Sequence, residues 1–123
     1  MDVSARPVVL YAVPLVMWLA ACGSDPQSDV CNTATSALVA NCDANDPEDV
    51  RLVSTSLTNA CGITDFTASD LNSPGALKSL CLDALAGTSV SDSEAASFAA
   101  VMATKTGCMS VANNVGLACR DFL

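Results

Sequence analysis

The residues of this chain with the widest range of chemistry are its seven cysteines, Cys22, Cys31, Cys42, Cys61, Cys81, Cys108 and Cys119. A thiolate can attack an electrophilic carbon, ligate a soft metal, accept an acyl group or enter a disulfide. Each use needs particular neighbours. Nucleophilic attack needs a base, and the sequence contains no histidine, so neither the thiols nor the many serines have the usual activating partner. Zinc and iron–sulfur sites need closely spaced ligands such as Cys-x-x-Cys, and no such pair is present. Disulfide formation is the chemistry that this spacing does support, for every cysteine but one.

The carboxylates are the second group to weigh. Asp43, Asn45, Asp46, Glu48 and Asp49 gather oxygens in one short stretch, as a hard cation such as calcium requires. The EF-hand pattern fails, however, because Pro47 and Glu48 stand where a ligand and the glycine belong. The same residues are explained by a helix start, with Asp46 as N-cap, Pro47 at the first helical position and acids against the positive end of the helix dipole. No metal and no cofactor are expected. A carboxylate pair can also cleave sugars, but such sites stack the rings on aromatic platforms. Beyond Trp18 the chain offers only Phe66, Phe98 and Phe122. With no base and nucleophile brought together by the pattern, an enzyme is not expected.

Cys22 is set apart by what precedes it. From Val8 to Ala21 the chain is apolar, with Arg6 ahead of the run and no charge within it. These 14 residues fall short of the roughly 20 that a spanning helix needs and match the apolar core of a signal peptide. Pro7 and Pro14 weaken the run further as a permanent helix. The charges ahead of it are Asp2 and Arg6, so the α-amino group supplies the net positive charge. The run closes on Leu19-Ala20-Ala21-Cys22, which resembles the lipobox of bacterial lipoproteins. That resemblance implies cleavage before Cys22, a diacylglyceryl group on its thiol and an acyl chain of the palmitate type on its new amino group. Two or three chains give firm anchoring where one binds only marginally, at about 0.8 kcal/mol per buried methylene. Gly23, following the lipidated residue, implies the outer rather than the inner membrane of a bacterial envelope.

The expected organisation is therefore a signal peptide over 1–21, a lipidated tether over 22–28 and a single small domain over 29–123. Without the leader the charge remains −8, with twelve acidic residues against Arg51, Lys78, Lys105 and Arg120. Such a surface is repelled by phosphate backbones, so nucleic acid is not an expected partner. Export to an oxidising compartment makes Cys31, Cys42, Cys61, Cys81, Cys108 and Cys119 a set of three disulfides. Their pairing is open. Cys31 and Cys42 stand eleven residues apart, as do Cys108 and Cys119. Eleven residues are three helical turns and about 16 Å, too far for a bridge within one unbroken helix. Matched spacing allows two rungs between the first and last helices, leaving Cys61 to Cys81. A Cys31–Cys61 bridge closing an antiparallel pair of helices is the rival.

The elements that must position these thiols read as helices throughout. The first runs from about Pro26 or Ser28 to Asn41, with Val30, Cys31, Ala34, Ala37, Leu38 and Cys42 on one stripe. The second spans Pro47 to Cys61 with Val50, Val53, Leu57 and Ala60 inward, closed by Gly62 and Ile63. Residues 64–73 read as loop with one helical turn, anchored by Phe66 and Leu71. A third helix starts with Ser73 as cap and Pro74, carries Leu77, Leu80, Cys81, Ala84 and Leu85, and stops at Gly87. Ser91 to Glu94 forms a capping box for a fourth, with Ala95, Phe98, Ala99, Met102 and Lys105, ending at Gly107. A fifth runs from about Met109 to Arg120 with Ala112, Val115 and Ala118 in register, despite Asn113, Asn114 and Gly116. No alternating stretch suggests a strand. The fold class is all-α, a small bundle of four or five short helices stapled by three disulfides.

The function expected from these features is that of a non-catalytic structural or protein-interaction module anchored to the membrane through Cys22, with a protein partner. The alternative is a carrier holding a small apolar ligand or lipid between helices. The Ala, Ser, Thr and Leu bias is similar to that of elicitins and plant lipid-transfer proteins, although the cysteine spacings differ. An enclosed apolar pocket of roughly 300 Å³ would separate the carrier from the module.

Overall fold

Pairs of residues well suited to begin a helix set the architecture. In the computed structural model, which describes residues 25–123, five α-helices run α1 (Pro26–Asn41), α2 (Pro47–Ser56), α3 (Pro74–Leu85), α4 (Asp92–Met102) and α5 (Cys108–Phe122). There is no strand among the described residues. Residues 1–21, expected to be a signal peptide, and the Leu19–Cys22 motif lie outside them. Asp25 accepts the Gln27 N–H at 3.0 Å ahead of Pro26, and Asp46 accepts the Glu48 N–H at 3.0 Å ahead of Pro47. Ser91 and Glu94 exchange the two hydrogen bonds of a capping box, at 2.9 and 3.1 Å. Ser73 precedes Pro74 as expected, but its side chain makes no capping bond. α1 begins at Pro26, inside the stretch read as tether.

α1 is the hub, packing against α3, α4 and α5, while α2 and its extension pack on α5. The face that α1 presents is Val30, Cys31, Ala34, Thr35 and Leu38, the expected stripe with Thr35 added and Ala37 half-buried. Around it close Val53, Leu57, Leu71, Leu77, Leu85, Phe98, Met102, Val111 and Val115, all buried. Leu71 enters from a 3₁₀ turn at Ala68–Asn72, the single helical turn foreseen in that segment. The N-terminal end of α1 is fastened by Gln27, whose amide donates to the Leu85 carbonyl at 3.0 Å and to the Thr88 carbonyl at 2.7 Å.

Two helix ends differ from expectation. α2 is regular only to Ser56, and Leu57–Cys61 forms a wider π-helical turn. Gly62, at φ +72°, turns the chain so that its own N–H and that of Ile63 both point back to the Leu57 carbonyl. Closure by these longer bonds widens the turn, and the left-handed conformation at Gly62 is one that glycine adopts without cost. α4 stops at Met102, short of the expected end at Gly107, so Lys105 lies beyond it. The reason is local: Thr104 donates both its N–H, at 3.0 Å, and its hydroxyl, at 2.7 Å, to the Val101 carbonyl, tightening the last turn. Ala99, assigned to its inward stripe, is exposed.

Gly116, a poor helix former in the middle of α5, has a packing reason. A Cβ there would stand 3.3 Å from Ala60 Cβ and 3.7 Å from Ser56 Cβ, so its absence lets α5 lie close against the end of α2. Gly116→Leu is expected to destabilise the domain by about 1–3 kcal/mol through overpacking. A urea denaturation midpoint unchanged from the parent would contradict this.

Candidate functional site

All six cysteines of the domain are bridged: Cys31 to Cys81, Cys42 to Cys108 and Cys61 to Cys119, with Cα separations of 5.6, 4.7 and 5.1 Å. Three disulfides are therefore present, but in neither arrangement expected in full. Of the two rungs foreseen between the first and last helices, only Cys42–Cys108 forms. Starting from that rung, α1 carries Cys31 towards α3, whereas α5 carries Cys119 towards the π-helical turn that ends in Cys61. The rival Cys31–Cys61 bridge is likewise replaced. Along the chain each cysteine pairs with the third one after it, so the three closed loops interleave and no helix pair is clipped locally. No cysteine among residues 25–123 remains as a thiol.

The acidic stretch before and within α2 is occupied by its own backbone. Asp43 accepts the Asn45 N–H at 2.8 Å, Asp46 accepts that of Glu48, and Asp49 accepts the Asp43 N–H at 2.9 Å. Glu48 instead pairs with Arg51. That hydrogen bond and the Arg51 charge beside it hold the Glu48 carboxyl below the usual carboxylate range and push the guanidinium up. Both side chains are exposed, so the pair adds little stability. The oxygens serve a helix start. Among the described residues no group of three or more His, Cys, Asp or Glu is placed to hold a metal ion.

Two concave features bear on ligands. The first is an apolar cavity of about 30 Å³ inside the bundle, bounded by Val30, Thr35, Leu38, Leu77, Leu85 and Val115 among others. Thr35 is 6% exposed, and its hydroxyl is buried without a hydrogen-bond partner in the protein. The volume is that of a water-sized void, far below the roughly 300 Å³ of a small-molecule site. The second is an open groove of about 400 Å³ between α4 and α5, lined by Phe98, Val101, Leu117 and Phe122, with Glu94 and Asp121 along it. Phe98 is buried and meets Phe122 edge to face, with ring centroids 6.5 Å apart. Val101 and Leu117 are 44% and 53% exposed.

The groove was not anticipated, although part of it was readable. The inward face of α5 is Cys108, Val111, Ala112, Val115 and Gly116, and Leu117 falls off that stripe. A large apolar residue on the polar side of an amphipathic helix is the available signal. What could not be read was its alignment with Val101 on another helix. Cys22, expected from the sequence to be lipidated, lies outside the described residues, and no helix among residues 25–123 is long and apolar enough to cross a membrane.

No family model, curated protein or solved structure matches this chain.

Proposed function

We propose that the chain is a lipoprotein of a bacterial cell envelope, held by acyl chains on Cys22 and sited at the outer membrane, whose helical domain is a non-catalytic structural or protein-interaction module. The anchor rests on Leu19-Ala20-Ala21-Cys22 closing an uncharged apolar run. The module rests on one observation above the others: the interior is filled, with an apolar cavity of only about 30 Å³. A carrier would need about ten times that volume to enclose even a small ligand. The interleaved bridges resist the opening that would supply it.

The start of α1 is consistent with a short tether. The helix is capped by Asp25, three residues after Cys22 in the sequence, and fastened to the end of α3 through Gln27. Three residues reach about 10 Å when extended. The domain would then ride at the membrane surface with the N-terminal end of α1 towards the lipid. Cys22→Ser tests the anchor: the variant is expected to leave the membrane fraction or to accumulate with its leader attached. A variant that is processed and sediments as before would contradict it.

A further inference from the structure

We propose that the groove between α4 and α5 docks a basic amphipathic helix of a partner protein. The proposal rests on the reading of the domain as an interaction module and adds the surface and the kind of partner. Two observations choose the surface. Val101 and Leu117 are large apolar side chains more than two-fifths exposed, and they share one groove with Phe98 and Phe122. Exposed apolar residues gathered in this way mark recognition sites, whereas scattered ones do not. The helices also leave the groove open, because α4 packs chiefly on α1 and meets α5 over a short stretch.

Charge chooses the occupant. Glu94, a carboxylate of which one oxygen accepts the Ser91 N–H, and Asp121 border the groove and no Lys or Arg lines it, in a chain of net charge −8. A second copy would bring these carboxylates against their own kind in a like-charged molecule, which costs affinity and slows encounter. A helix with an apolar stripe at i, i+3, i+4 and i+7 and lysines or arginines flanking it would meet apolar floor with apolar stripe, and acidic border with basic flank.

The test uses the full chain purified in a nonionic detergent and a synthetic helical peptide of leucine and lysine with that spacing, beside a counterpart with glutamate for lysine. A carbodiimide then joins peptide amines to the carboxylates they touch. Expected are crosslinks to Glu94 and Asp121 that weaken as salt is raised, fall about tenfold in Leu117→Asp, and persist in Met109→Asp, an equally exposed site outside the groove. No crosslinks with the acidic counterpart are expected. Crosslinks centred on other carboxylates, crosslinks indifferent to Leu117→Asp, or a dimer of the chain occluding the groove would each overturn the proposal. None of these results touches the module reading, which falls instead if the extracted protein retains a lipid inside the domain.

Discussion

Replacing Cys31 and Cys81 together by alanine is expected to lower the stability of the domain by about 4 kcal/mol, the loop-closure contribution of a bridge spanning 50 residues. Small domains are stable by about 5–15 kcal/mol in total, so this loss brings the variant near its unfolding threshold at 37 °C. The bridge joins α1, on which α3, α4 and α5 all pack, to α3. Its loss leaves α3 held to the hub by Leu77, Leu85 and the Gln27 amide. Cys31 is fully buried, so alanine is the better replacement because it adds no unpartnered hydroxyl to the core. Urea denaturation under oxidising conditions measures the effect. A midpoint within error of the parent would show that the Cys31–Cys81 bridge does not constrain the chain.

Phe98→Ala is the second large effect, and it should be distributed unevenly. α4 carries no cysteine and no bridge reaches it, whereas α2, which has none within Pro47–Ser56, runs on into the π-helical turn that ends in Cys61. It is held by Ala95, Phe98 and Met102 against the core and by the edge-to-face contact of Phe98 with Phe122. Truncating a buried phenylalanine costs about 3–5 kcal/mol. The remaining helices stay tied to one another through three bridges, so the loss should appear first as local opening of residues 92–102. Native-state hydrogen exchange is expected to accelerate there while the amides of Val111 to Val115 keep their protection. Uniform acceleration across all helices would mean that α4 unfolds only with the whole domain.

Where the chain carries its own punctuation, the sequence was a good guide. Asp46-Pro47 and the Ser91/Glu94 box mark helix starts that the structure keeps to the residue, because a cap is a local hydrogen bond. Helix ends were harder. The early stop of α4 comes from Thr104 turning back on Val101, a choice between competing local bonds that apolar periodicity does not report. Thr35 falls outside the apolar stripe because its hydroxyl marks a surface group, although it is buried against the core. Disulfide pairing lay beyond reach for a different reason. The equal spacing of Cys31/Cys42 and Cys108/Cys119 suggested two parallel rungs, but pairing depends on how α1 and α5 diverge after Cys42–Cys108, and that is fixed by packing against α3 and the π-helical turn. The groove shares this property: Leu117 is conspicuous on its helix, yet only the tertiary arrangement sets it beside Val101. The acyl anchor, by contrast, is wholly a sequence inference, since Leu19 to Cys22 lie outside the described residues.

Native mass spectrometry of protein gently extracted from membranes tests at once the anchorage through Cys22 and the absence of a lipid inside the domain. The expected mass is that of a chain beginning at Cys22, carrying two or three acyl chains on that residue, with three disulfides and no further bound lipid. A chain with an unmodified Cys22, or one that holds an additional lipid without covalent attachment, would contradict it.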